Sequence, residues 1–186
     1  MVNHPVDFMF KMIKPIGIDL PADIFEEYAI FNSIFLSVRD LEMEIYEHPN
    51  VAGWKAFYQA PQFYKLWINA VSLPIRMRYA EALIAGFNVS GNEVKLNVLN
   101  FAASLDNPSD VNDLINDIAK ILFAQPISQP QIVALKEILI PGLPDFEWNV
   151  EYSDYASGNT SLEEAVENKL KALLVTMMKM PEFYLI

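Results

Sequence analysis

The sequence predicts an irregular all-α domain of about eight helical segments, with at most one short β-hairpin. Three observations predict it. Apolar residues recur at spacings of three and four along most of the chain. Residues that start helices stand ahead of several of these runs, as in Ser128 with Gln131 and Thr160 with Glu163. Proline and glycine mostly fall between the runs, where they punctuate helices. With 186 residues, 53% of them hydrophobic and 12% aromatic, the chain can bury a full core, and residues 1–186 are expected to form a single helical domain.

Asn3 is placed to cap a helix from about Pro5, with Val6, Met9, Phe10 and Ile13 on its apolar side and Pro15 and Gly17 at its end. Asp19 and Pro21 open a longer helix to about Val38. Ile24, Tyr28, Phe31, Phe35 and Val38 share one stripe of it, while Phe25, Ile34 and Leu36 put apolar residues on its other faces, so this helix is expected to be central. Arg39 to Glu47 is read as a short acidic helical piece with Leu41, Met43 and Ile45, though its period near two leaves helix against strand open. His48-Pro49-Asn50 breaks the chain, and a short helix is expected over Pro61 to Asn69. Ser72 or Leu73 is the expected cap of the next helix, which carries Pro74 and Arg76 in its first turn and ends at Ala85 with Gly86 beyond it.

A small hairpin is expected over residues 89–96, turning at Gly91-Asn92. Asn97 to Leu105 is a short helix. Asn107 and Pro108 open a clear one with Val111, Leu114, Ile118, Ile121 and Leu122 inward. Ser128 and Gln131 form a capping box for a helix through Ile138. Asp145 to Tyr155 is expected to be irregular, acidic and aromatic. The last helix has the strongest signals: capping boxes at Thr160 and Ser161, a stripe of Leu162, Val166, Leu170, Leu173 and Met177, acids early and lysines late.

A net charge of −11, from 24 acids and 13 bases, argues against nucleic acid and anionic membrane as partners. No apolar run reaches the ~18 residues of a membrane span. Residues 1–7 lack the charged and then apolar segments of a signal peptide. There is no cysteine, no phosphate-binding or dinucleotide glycine pattern and no Gly-x-Ser-x-Gly, so no cofactor is indicated. His4 and His48 are the only histidines, too few for a multi-histidine metal site. Asp106, Asp110, Asp113 and Asp117 line one side of a helix; such a row can attract a hard cation but is ordinarily a solvated face, and no metal is expected. Trp54, Trp67 and Trp148 are read first as buried anchors, and otherwise as a stacking platform for sugar or peptide. The eight methionines are read as core filler.

The most aromatic stretch carries a resemblance. His48-Pro49-Asn50-Val51-Ala52-Gly53-Trp54, then Tyr58 to Asn69, then Leu73-Pro74-Ile75-Arg76 resembles the domain-of-unknown-function family 1800 (DUF1800), in the form found in Bacteroidetes-type bacteria. Pro5 to Phe8, Leu143 to Trp148 and Met180 to Phe183 with Leu185 fit the same family. Residues 43–48 depart from it, since members usually carry Gly-Gln and a Pro-Pro pair there. The resemblance spans nearly the whole chain but only the C-terminal portion of a typical member. It implies that this is a C-terminal fragment of a longer protein, an expectation also prompted by the abrupt start of helical pattern. The family has no established activity. Its members are similar to exported bacterial proteins, often encoded beside a second family related to sulfatases and phosphatases, so an extracytoplasmic location is implied.

Two functions are therefore expected. One is a helical binding or assembly module of a larger exported bacterial protein, whose partner is the rest of its own polypeptide or a neighbouring exported protein. An exposed apolar patch should then mark the docking face, and a homodimer of the fragment would be one way to cover it. The other is part of a hydrolase acting on extracellular polymer or glycan, with its site shared with the missing N-terminal half. Whether the chain is an enzyme is left open by its residues. The candidate ligand-binding residues are Trp54, Trp67, Asn69 and Arg76, and no catalytic residue is assigned. Arg76 is expected to hold either a carboxylate of this chain, with Asp145 to Asp154 as one candidate stretch, or an external anion near Trp67 and Asn69.

Overall fold

The computed structural model describes residues 2–47, 51 and 67–186. Among them are eight α-helices and one two-stranded hairpin, so the fold is dominantly helical. The chain divides into two compact units, one of Met1–Leu96 with Tyr184–Ile186 and the other of Asn97–Phe183.

The first unit holds α1 (Pro5–Ile16), α2 (Ile24–Asp40), α3 (Ser72–Ala85) and the hairpin of β1 (Phe87–Val89) and β2 (Asn92–Val94). α1 is capped by His4, whose Nδ1 accepts from Asp7 N at 3.3 Å, and not by Asn3, which is fully buried. Asp23 caps α2 through Oδ1, which accepts from Phe25 N and Glu26 N. That helix runs on through Asp40, two residues beyond the expected end, and then turns through Glu42 and Tyr46, both at positive φ. The hairpin turns at Ser90-Gly91, one residue earlier than expected. Both turn residues have positive φ, which the tight two-residue loop requires. The last residues of the chain return to this unit: Asn3 N donates to Tyr184 O at 2.9 Å, and Val2 bridges Leu185. Phe8, Met9, Met12, Ile30, Ile34, Val38, Leu83 and Ile84 form its core.

The second unit holds α4 (Val98–Ala103), α5 (Val111–Leu122), α6 (Gln129–Leu139), α7 (Phe146–Ala156) and α8 (Glu163–Lys179). α5 starts one turn later than the Asn107-Pro108 signal suggests, because the Asp110 carboxylate accepts from both Asn112 N and Asp113 N. Its inward stripe of Val111, Leu114, Ile118 and Leu122 is buried as expected, whereas Ile121 is exposed. The capping box of Ser128 with Gln131 forms at α6. The stretch expected to be irregular is α7, held by Trp148, which is fully buried and donates from Nε1 to Pro108 O at 2.8 Å. α8 buries Val166, Leu170, Leu173 and Met177, and Met178 beside them, so these methionines fill core as expected.

Candidate functional site

Trp67, Asn69 and Arg76 are brought together in the first unit, at the start of α3. Asn69 is the residue that organises this start. Its Oδ1 accepts from Val71 N and Ser72 N, each at 2.8 Å, while its own N–H donates to Ser72 Oγ at 3.0 Å. This reciprocal pattern is a capping box three residues upstream of the expected cap. The displacement matters, because it moves Arg76 out of the first turn and into the body of the helix. The Asn69 amide also donates to Glu42 Oε2 at 2.8 Å, so both ends of the side chain are engaged.

Arg76 is fully buried. Nη1 donates to Asn3 Oδ1 at 2.8 Å, and Nη2 donates to Asn3 O at 3.0 Å and Trp67 O at 3.2 Å. The guanidinium carbon lies 4.8 Å from the centroid of the Phe8 ring, which stacks at 6.0 Å on Tyr184. Neither expected partner is present: no carboxylate pairs with Arg76 among the described residues, and the side chain is not open to an external anion. The acids of residues 145–154 that were candidates belong to the second unit, where Lys136 pairs with Asp145 at 2.6 Å and Lys169 pairs with Glu151. Burial lowers the Arg76 pKa to about 10, against the influence of Tyr184, so the group is still a cation at neutral pH. The same burial raises the Tyr184 phenol. Chemically the arrangement is a clamp. One planar donor fork fastens the segment at Asn3 and the carbonyl at Trp67 to α3, with an aromatic face beneath the charge.

Trp67 itself is 8% exposed, which suits an anchor, and its carbonyl also accepts from Ser72 Oγ. Trp54 and His48 lie outside the described residues. His4 Nε2 lies 3.0 Å from Asp7 Oδ2 within the first turn of α1. The aspartate row is used locally: Asp110 caps α5, Asp113 accepts from Asn107, and Asp117 pairs with Lys120 at 2.7 Å. No cluster of three or more metal-ligating side chains occurs among the described residues, and no described helix is long and apolar enough to cross a membrane.

A second candidate surface lies on α2, where the structure departs from the sequence expectation. The stripe read along α2, a helix expected to be central, lies largely outward: Ile24 is 69%, Tyr28 70% and Phe31 47% exposed, with Phe25 beside them at 80%. The buried face is Ile30, Ile34, Ser37 and Val38. Only Val38 of the predicted stripe is buried. α2 is apolar on two sides, and spacing alone cannot say which side is covered.

Over residues 1–185 the chain matches the family described as protein of unknown function (DUF1800). Neither a curated protein nor a solved structure matches it.

Proposed function

The chain belongs to the DUF1800 family, and we propose that it serves as a helical binding or assembly module of a larger exported bacterial protein. The observation that carries this reading is the outer face of α2. Ile24, Phe25, Tyr28 and Phe31 stand exposed on a helix whose opposite side is buried in the first unit. Single exposed apolar residues are ordinary, but several on one helix face form the kind of patch that marks an interaction surface. Aromatic side chains are also the ones that dominate binding energy where partners meet.

The surroundings of Trp67 support the same reading. A hydrolase of extracellular polymer calls for an open cleft with an aromatic platform and converging carboxylates. Trp67 is instead sealed, and its carbonyl is held by Ser72 Oγ and the Arg76 clamp. The exported and bacterial parts of the proposal rest on the resemblance of residues 48–76 and 143–148. The test is photo-crosslinking in cells that make the protein, with a benzoylphenylalanine in place of Phe25 and, as control, of Glu164 on the exposed side of α8. The expected result is a covalent protein adduct at position 25 and none at 164. No adduct at position 25 would sink the proposal.

A further inference from the structure

We propose that the outer face of α2 docks a second copy of this chain, helix against helix, antiparallel about a two-fold axis. The inference rests on reading that face as an assembly surface, and it names the occupant. A two-fold contact is isologous, so the surface must complement itself when reversed end for end. The α2 face meets that requirement in three ways.

The apolar part is a stripe. Ile24, Tyr28 and Phe31 are exposed and Phe35 is half-buried, at spacings of four, three and four. That is the seam spacing of two helices crossing at a shallow angle. The edge of the stripe is the second feature. Phe25, Asn32 and Arg39 recur every seven residues, all three exposed, so they form one row along the helix. Asn32 is the middle residue of α2 (Ile24–Asp40). In an antiparallel pair centred there, Asn32 faces Asn32 of the second copy, and an amide both donates and accepts, so it can pair with itself. Neither Asn32 nor Arg39 has a side-chain hydrogen bond or ion pair among the described residues.

The ends of the row are the third feature. Arg39 stands in the last turn and Phe25 in the first, each seven residues from Asn32. Reversing one helix against the other sets each Arg39 beside Phe25 of the other copy, where it gains an aromatic face. It also sets the negative end of each helix dipole beside the positive end of the other. A parallel arrangement would instead bring Arg39 towards Arg39.

The chain has no cysteine, which allows a clean geometric test. In purified protein, Asn32→Cys is expected to oxidise readily to a disulfide-linked dimer, while Glu164→Cys stays monomeric. Sedimentation of the unmodified chain is expected to show a concentration-dependent dimer. Tyr28→Asp should weaken its dissociation constant by about 100-fold and Arg39→Glu by about tenfold. A thermal melt matching the parent shows that the loss is not unfolding. A chain that remains monomeric up to about 1 mM, with Asn32→Cys no faster to cross-link than Glu164→Cys, overturns the proposal. If position 25 still captures a different protein in cells, only the second copy is wrong. If it captures nothing, the assembly reading fails with it.

Discussion

The two units solve the same problem in different ways. In the second, α5 and α8 each bury an apolar stripe, and the buried Trp148 places its single polar atom on a carbonyl, while Phe146 and Val150 of α7 stay exposed. The first is arranged around a buried cation that pairs only with neutral acceptors, and it leaves one face of α2 uncovered. α5 and α2 make the contrast sharpest. Both carry apolar residues three and four apart, and both start on an aspartate whose carboxylate accepts from two backbone amides. α5 has one apolar side and buries it but for Ile121 at its edge. α2 has two, and only the side of Ile30 and Ile34 is hidden. A periodic pattern therefore states which residues share a face. It does not state whether that face serves folding or something outside the fold.

The largest expected effect lies in the buried stripe. Leu114→Ala, at the fully buried centre of α5, should cost about 2–5 kcal/mol of stability through lost transfer energy and the cavity left behind. Denaturant unfolding measures it. A loss under about 1 kcal/mol would mean that the α5 stripe is not the packed core it is here taken to be.

Next comes the clamp. Arg76→Met keeps much of the volume and ends the burial of a charge, but it strips donors from Asn3 Oδ1, Asn3 O and Trp67 O. Hydrogen bonds from a charged donor are worth about 1.5–3 kcal/mol each, and the relief of charge burial offsets part of that, so a net loss of about 1–3 kcal/mol is expected. Arg76→Lys should recover only part of it, since one ammonium cannot reproduce a planar fork. An Arg76→Met protein as stable as its parent would show that the clamp contributes nothing net.

The helix starts should not distinguish the two regions. Asp110→Ala and Asp23→Ala each remove a carboxylate that accepts two amide hydrogens, and each should cost about 1 kcal/mol. Equal losses would confirm that α2 and α5 are begun by the same chemistry and differ only in what covers them.

Much of the second unit was legible in the sequence because its signals are local. The Ser128 and Gln131 box and the stripes of α5 and α8 involve residues within a few turns of one another. The Asp145 to Tyr155 stretch was not, since α7 depends on Trp148 reaching a carbonyl forty residues earlier. At the candidate site, the resemblance picked out Trp67, Asn69 and Arg76, and the structure does bring them together. Their arrangement was hidden for a physical reason. Asn69 caps α3 from three residues upstream, and the acceptor for Arg76 is Asn3, far away in sequence. Asn3 reads locally as a helix cap, and only the fold shows that His4 takes that task.

The smallest effect is the most telling for α2. Tyr28 is 70% exposed, so truncating it removes little buried surface and opens no cavity. Alanine is also the better helix former, by a few tenths of a kcal/mol. Tyr28→Ala should therefore leave the stability of the dilute chain within about 0.5 kcal/mol of the parent, as surface substitutions do. The same change should weaken association at high concentration, where the face is expected to be covered. Thermal melts at two protein concentrations separate the two effects. The parent midpoint should rise with concentration, because an associating partner stabilises the folded state by mass action. The Tyr28→Ala midpoint should rise less. A loss of more than about 2 kcal/mol in the dilute protein would mean that Tyr28 packs within its own chain, and the contrast between α2 and α5 would disappear.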